Sequence, residues 1–234
     1  MGIVLGVLGG FAPEGITDFL SNLIMKAADS ENRADVRIIA DYKIGGLGEG
    51  TLPVGKEQQT YEKLLESART MERAGADYLV IPCIEAHYYI RRLKSEIGAE
   101  LIDALDCTGR FLKGNKRRDS TVGVLASSDA INAGIFKEYL SDFRLIYPPK
   151  DIQDNLVMEA INNKRGIKTE ETIARSRKLL KDAAGYLIYM GAQLLVSGSS
   201  EISVVLRQEH VGVCMVDPMK ILLDTVLDLI KSEK

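Results

Sequence analysis

Ala74-Gly75-Ala76-Asp77-Tyr78-Leu79-Val80-Ile81-Pro82-Cys83-Ile84-Glu85 returns later in the chain as Met190-Gly191-Ala192-Gln193-Leu194-Leu195-Val196-Ser197-Gly198-Ser199-Ser200-Glu201. Gly75 and Gly191, Cys83 and Ser199, and Glu85 and Glu201 share one offset of 116 residues. Gly6-Val7-Leu8 returns as Gly123-Val124-Leu125 at an offset of 117. In both copies a glycine ends a helical stretch, a short apolar run follows, and a polar turn closes it. Such runs, flanked by helical segments, read as buried strands of parallel sheets covered on both faces. The fold expected is α/β, with two pseudo-symmetric domains, each a parallel sheet flanked by helices, and a site in the cleft between them. The boundaries expected are 1–114 plus 208–234 for the first domain and 115–207 for the second.

Outward from the repeats, strands are expected at 2–8, 36–40, 78–81, 100–104, 121–125, 143–147, 194–196 and 211–216. Helices are expected from Pro13, at 57–73, 86–94, 130–140, 151–163 and 169–190, and from Pro218 with Asp217 as its cap. The glycine-rich stretch 44–55 reads as a loop. Lys113, Lys116, Arg117 and Arg118 read as a solvated linker between the repeats.

The chain has 234 residues and a net charge of −3, so no global field draws it to nucleic acid or an anionic membrane. No apolar run approaches the roughly 20 residues of a membrane span. The apolar N-terminus has no basic leader and reads as a first strand rather than a signal peptide. Three cysteines without paired spacing are not a disulfide framework and point to a reducing cytoplasm.

In parallel sheets ligands bind beyond the carboxyl ends of the strands. Gly9-Gly10, Cys83, Ala126-Ser127 and Ser199 all fall at such ends. Cys83 precedes a helical stretch, where free amides favour a thiolate; a small buried core residue is the plainer alternative. Ser199 is a far weaker acid, and capping a helix or hydrogen-bonding a ligand is as natural for it as catalysis. Cys83, Glu85 and His87 crowd three ligands into five residues, a poor fit to zinc. His210 reads as exposed in a charged loop, and Cys107 and Cys214 as structural. The run from Gly6 to Pro13 lacks nucleotide-loop spacing, yet its amides suit a carboxylate.

Gly9-Gly10-Phe11-Ala12-Pro13-Glu14, Pro82-Cys83-Ile84-Glu85-Ala86-His87, Lys164-Arg165-Gly166, Gly198-Ser199-Ser200-Glu201 and Asp217-Pro218 together resemble the aspartate/glutamate racemase family, in order and over essentially the whole chain. The resemblance implies a cofactor-independent isomerase, commonly dimeric, acting on a small amino acid or related carboxylic acid. It also implies a C-terminal helix that returns to the first domain. Family members use two cysteines on opposite faces of the substrate, one thiolate removing the Cα proton and the other thiol supplying one.

By that resemblance Cys83 and Ser199 hold the catalytic positions. Gly10, Ile84, Glu85, Ser127, Ser128, Lys164, Ser200 and Glu201 hold the substrate, with Lys164 matching the lysine that meets a distal carboxylate. Inversion by proton transfer needs a base on one face and an acid on the other, and donors for the charge that builds on the carboxylate.

The chain departs from the family in a definite direction. Ile84-Glu85 replaces Asn-Thr, Ser199 replaces the second cysteine, and Gly48-Glu49-Gly50-Thr51 replaces a loop that often ends in Arg-Thr. Added negative charge at Glu49 and Glu85 disfavours a dicarboxylate and points to a substrate neutral or cationic at its distal end. The alternatives to a racemase are a one-cysteine isomerase or decarboxylase of the same superfamily, and a non-catalytic small-molecule binder.

Overall fold

In a computed structural model, residues 2–10, 13–28, 36–43, 52, 55–115, 119–164 and 169–232 are described, without the side chains of Pro13, Glu14 and Lys164. Strands β1 (Ile3–Leu8), β2 (Val36–Asp41), β3 (Tyr78–Val80) and β4 (Glu100–Ile102) form one sheet in the order β2-β1-β3-β4. Strands β5 (Thr121–Ala126), β6 (Arg144–Ile146), β7 (Leu194–Gly198) and β8 (Cys214–Val216) form another in the order β6-β5-β7-β8. All pairings are parallel, and the second order repeats the first. This is the duplicated two-domain α/β architecture expected.

The helices are α1 (Pro13–Ala28), α2 (Glu57–Arg73), α3 (Ile90–Lys94), α4 (Ala104–Gly114), α5 (Ser128–Asn132), α6 (Ile135–Tyr139), α7 (Lys150–Ile152), α8 (Glu159–Lys164), α9 (Glu170–Tyr189), α10 (Ser200–Val205) and α11 (Pro218–Ser232). Short 3-10 helices occupy Glu85–Tyr89 and Gln208–His210, and a π-helix occupies Gln153–Met158. None of the described helices is long and apolar enough to cross a membrane.

One device recurs in both sheets. A Cβ built on Gly6 of β1 would come within 2.5 Å of Leu79 Cδ2 and 3.2 Å of Met71 Cβ. One built on Gly123 of β5 would come within 2.7 Å of Leu195 Cδ2 and 3.2 Å of Leu187 Cβ. The central strand of each sheet therefore carries glycine where α2 or α9 presses onto it.

The chain divides into two compact units, Met1–Cys107 with Met219–Lys234, and Thr108–Pro218. The core of the first unit gathers Leu5, Val7, Phe19 and Leu23 with Leu222, Val226 and Ile230 of α11. The core of the second gathers Leu125, Val157, Leu180, Leu187, Leu195 and Val205. These limits differ from the boundaries expected at 114/115 and 207/208. Residues 214–216 pair with β7, which ties them to the second sheet, and only α11 belongs with the first.

Local differences have local causes. Residues 104–114 form helix α4, where a strand end and a linker were expected. Asp103 Oδ1 accepts hydrogen bonds from the amides of Leu105 (3.0 Å) and Asp106 (3.1 Å), which starts the helix immediately after β4. Lys113 lies on α4 and pairs with Asp142, while residues 116–118 lie outside the described residues. The helix expected at 130–140 is broken by Gly134, whose φ of 72° is left-handed. The loop at 44–55 is described only at Leu52 and Gly55.

Candidate active site

In the first unit, β3 delivers Ile81-Pro82-Cys83-Ile84 into the 3-10 helix. The Cys83 amide donates to Ile81 O (2.8 Å), bending the chain sharply around Pro82. Cys83 is 7% exposed, and its Sγ donates to Glu85 Oε2 at 3.4 Å, with Glu85 itself 6% exposed. Ile84, with φ −64° and ψ −43°, is buried at the head of the turn.

His87 is buried behind this turn. Its Nε2 accepts a hydrogen bond from the Ala104 amide (3.1 Å), and its Nδ1 lies 2.8 Å from Cys83 O. An acceptor at Nε2 leaves Nδ1 as the donor to a carbonyl, so the ring is neutral in the Nδ1–H tautomer. Burial lowers its pKa from the usual value, outweighing the opposing pull of Asp103, whose Oδ1 is 3.7 Å from Nε2. Both ring nitrogens are thus engaged in holding the turn to the start of α4.

In the second unit, β7 runs through Gly198 to Ser199, which is 2% exposed. Ser199 stands at the N-cap of α10 but its side chain makes no capping bond. Its Oγ donates instead to Glu201 Oε2 at 2.6 Å, and Ser200 Oγ donates to the same oxygen at 3.1 Å. Ser203 Oγ donates to Ser199 O at 3.3 Å.

The two turns share one plan. The residue at the strand end donates to a carboxylate two positions later, and a side chain four positions later donates to its carbonyl. Cys83, Glu85 and His87 fill these places in the first unit, and Ser199, Glu201 and Ser203 in the second. The first two pairs are visible in the aligned repeats, whereas Ser203 as the counterpart of His87 is not, because the residue types differ.

The adjoining central strands supply the remaining positions. Gly10 follows β1, beside β3, with a φ of 114° that favours glycine. Ser127 caps α5, its Oγ accepting from the Ala130 amide at 3.3 Å. The Ser128 amide donates to Met158 Sδ (3.3 Å), and Gln153 Nε2 donates to Ala126 O (2.9 Å) and Ser128 Oγ (3.2 Å). Gln153 was not singled out from sequence, because its approach to this turn depends on the π-helix.

Gly10, Cys83, Ile84 and Glu85 therefore share the carboxyl edge of one sheet, and Ser127, Ser128, Ser199, Ser200 and Glu201 that of the other. Lys164 ends α8, its side chain outside the described residues. Phe11, Ala12, Gly48, Glu49, Gly50, Thr51, Arg165 and Gly166 also lie outside them. Cys107 is buried in the first core, and Cys214 is half-buried on β8. His210 is half-buried rather than exposed, its Nδ1 accepting from the Arg207 amide at 3.0 Å.

The sequence profile of the Asp/Glu/hydantoin racemase family matches residues 8–226. The chain belongs to this family. A protein of Pectobacterium carotovorum subsp. carotovorum, described as an uncharacterized protein in the pnlA 3' region, is 30% identical over 118 residues, which cover 50% of this chain and 75% of that protein. The aspartate racemase of Picrophilus torridus superposes with a TM-score of 0.76 at 17% identity, covering 98% of this chain and 95% of its own. An aspartate racemase homologue from Pyrococcus horikoshii OT3 gives 0.78 at 16%, covering 99% and 100%. Glutamate racemase from Francisella tularensis subsp. tularensis SCHU S4, in complex with D-glutamate, gives 0.69 at 14%, covering 99% and 82%. At these identities the superpositions establish the racemase fold.

Proposed function

We propose that the protein is a cofactor-independent amino-acid racemase in which Cys83 and Ser199 handle protons on opposite faces of one small amino acid, serine standing where the family has its second cysteine. The observation that carries this reading is the matched carboxylate behind each strand-end group, Glu85 at 3.4 Å and Glu201 at 2.6 Å. A serine hydroxyl is too weak an acid to take the place of a thiolate unaided. With Glu201 accepting its proton, Ser199 Oγ removes the Cα proton while its own passes to Glu201 Oε2. The Cys83 thiol, which donates to Glu85, delivers its proton to the other face.

Turnover in the reverse direction restores both groups: the Cys83 thiolate takes the Cα proton, and the proton on Glu201 returns through Ser199. Amides of the Ile84–Glu85 turn and of Ser200, and in the Ser127–Ser128 turn the Ser128 hydroxyl, serve the substrate carboxylate, the Ser128 amide being given to Met158 Sδ, with Gly10 beside them and Lys164 toward the distal end. The buried Glu85 disfavours a dicarboxylate. A homodimer acting in the cytoplasm belongs to the same reading, on the family resemblance.

The test is incubation in deuterated water with aspartate, glutamate and neutral and basic amino acids, followed by chiral analysis. Cα deuteration with inversion is expected for at least one neutral or basic member. Cys83→Ala and Glu201→Gln should each lower its rate about 100-fold or more. Exchange with retention would instead indicate a single working base. No exchange with any member would overturn the racemase reading.

A further inference from the structure

The turn after β5 holds one polar hydrogen that the fold does not use. Ser127 Oγ accepts from the Ala130 amide (3.3 Å), and the Ser128 amide donates to Met158 Sδ (3.3 Å). Ser128 Oγ accepts from Gln153 Nε2 at 3.2 Å. Its own proton meets no acceptor among the described residues, and Ser128 is half-buried rather than sealed.

Gln153 sets the direction of that hydroxyl. Gln153 is buried, and the other Nε2 proton goes to Ala126 O at 2.9 Å. A carbonyl requires a donor, so Nε2 and not Oε1 faces the turn. A serine hydroxyl can otherwise donate or accept, but against this N–H it accepts, which leaves its O–H to be given elsewhere. Gln153 and Met158 begin and end the π-helix. In a regular α-helix two residues five apart point about 140° away from each other, at 3.6 residues per turn. The wider π turn brings them toward one face, so one element holds both the amide and the hydroxyl of Ser128.

We propose that Gln153 is a positioning residue for the α-carboxylate of the amino acid: by donating to Ser128 Oγ it makes the Ser128 hydroxyl a dedicated donor to that carboxylate. Gln153 itself does not touch the substrate. Every amino acid carries this carboxylate, so the pair supports binding and turnover without selecting among side chains. The inference rests on the amino-acid reading of the site above, not on which group moves which proton.

The test is a double-substitution cycle of wild type, Gln153→Met, Ser128→Ala and the two combined, with Gln153→Glu alongside. Affinity is read by calorimetry, and kcat and KM by Cα deuteration. The probes are alanine, glutamine, lysine, aspartate and glutamate, both enantiomers of each, with thermal unfolding as the folding control. Ser128→Ala and Gln153→Met should each weaken binding about 3-fold or more. Each should lower kcat about 10-fold or more, because the charge on the carboxylate grows as the Cα proton leaves. The factors should be similar for every probe that wild type binds. The combined variant should be no worse than Ser128→Ala alone, since one residue acts through the other. Gln153→Glu keeps the shape but offers the hydroxyl an acceptor, and should fall at least as far as Gln153→Met.

Full affinity and kcat in Ser128→Ala would overturn the proposal, whatever the Gln153 variants do. Additive losses in the combined variant would overturn it too, by showing that Gln153 only supports the turn. So would a loss confined to one class of side chain, or no binding by any probe. Should neither Gln153 variant fold, the Nε2 proton resonances of isotope-labelled wild type decide. They should shift on saturation with the tightest-binding of these probes, and far less in Ser128→Ala; no shift in wild type would overturn the proposal. Cα exchange insensitive to both residues would sink this proposal and leave the racemase standing. Non-additive loss of binding in both variants without any Cα exchange would do the reverse.

Discussion

His87 fixes the backbone that carries the candidate catalytic thiol. Its ring bridges Cys83 O and the Ala104 amide, so the carbonyl behind the thiol is pinned to the first turn of α4. Because burial lowers its pKa, the folded chain resists protonation that the unfolded chain, near 6.5, accepts. The stability associated with neutral His87 is therefore complete above about pH 6.5 and is lost as pH falls from there toward the lowered folded value. Urea midpoints should drop between pH 7.5 and 5.5. His87→Gln should be less stable at pH 7.5 by about 1–3 kcal/mol, from the unmatched backbone groups, but should show a shallower fall. Parallel slopes for the two proteins would show that another group drives the pH dependence.

Among elements, the central strands are the most constrained. Gly6 lies under α2 with Leu79 Cδ2 2.5 Å from where a Cβ would stand, and Gly123 repeats the arrangement under α9. Gly6→Ala should cost about 1–3 kcal/mol by overpacking, read as a lowered urea midpoint. Leu79→Val in the same chain should recover part of that loss, since the two sites are in contact and their effects do not add. Strict additivity would place the strain elsewhere. The glycines were legible as repeat partners in sequence, but their reason was not, since a sequence does not say which helix crosses which strand. The same holds for α4. Leu105 and Leu112, both fully buried, mark its inner face, but the basic residues at its end read as linker.

The two units are unequal in how they complete their cores. The first recruits α11 from the far end of the chain, with Leu222, Leu223, Val226, Leu227 and Ile230 all under 9% exposed. Burying each such side chain is worth about 1.5–3 kcal/mol, so together they rival the roughly 5–15 kcal/mol by which a domain is stable. A chain ending at Asp217 should therefore lose amide-exchange protection across β1 to β4, with a smaller effect on β5 to β8. Unchanged protection in the first sheet would mean that α11 is dispensable to its core.

Local patterns were readable without a fold. Apolar runs of strand length, glycines at a shared offset, and the pairing of Cys83 with Ser199 all depend on residues near one another or on a repeated motif. The two sheets and the candidate positions at their carboxyl edges follow from that. Tertiary packing decided the rest. The thiol and the hydroxyl each face their own carboxylate because the turns fold back over two residues. His87 became a strut because α4 starts beside it, and Gln153 reached Ser128 because a helix widened by a turn. The last two are contacts between parts of the chain that no periodicity connects, and their free energies arise only when the parts are packed together.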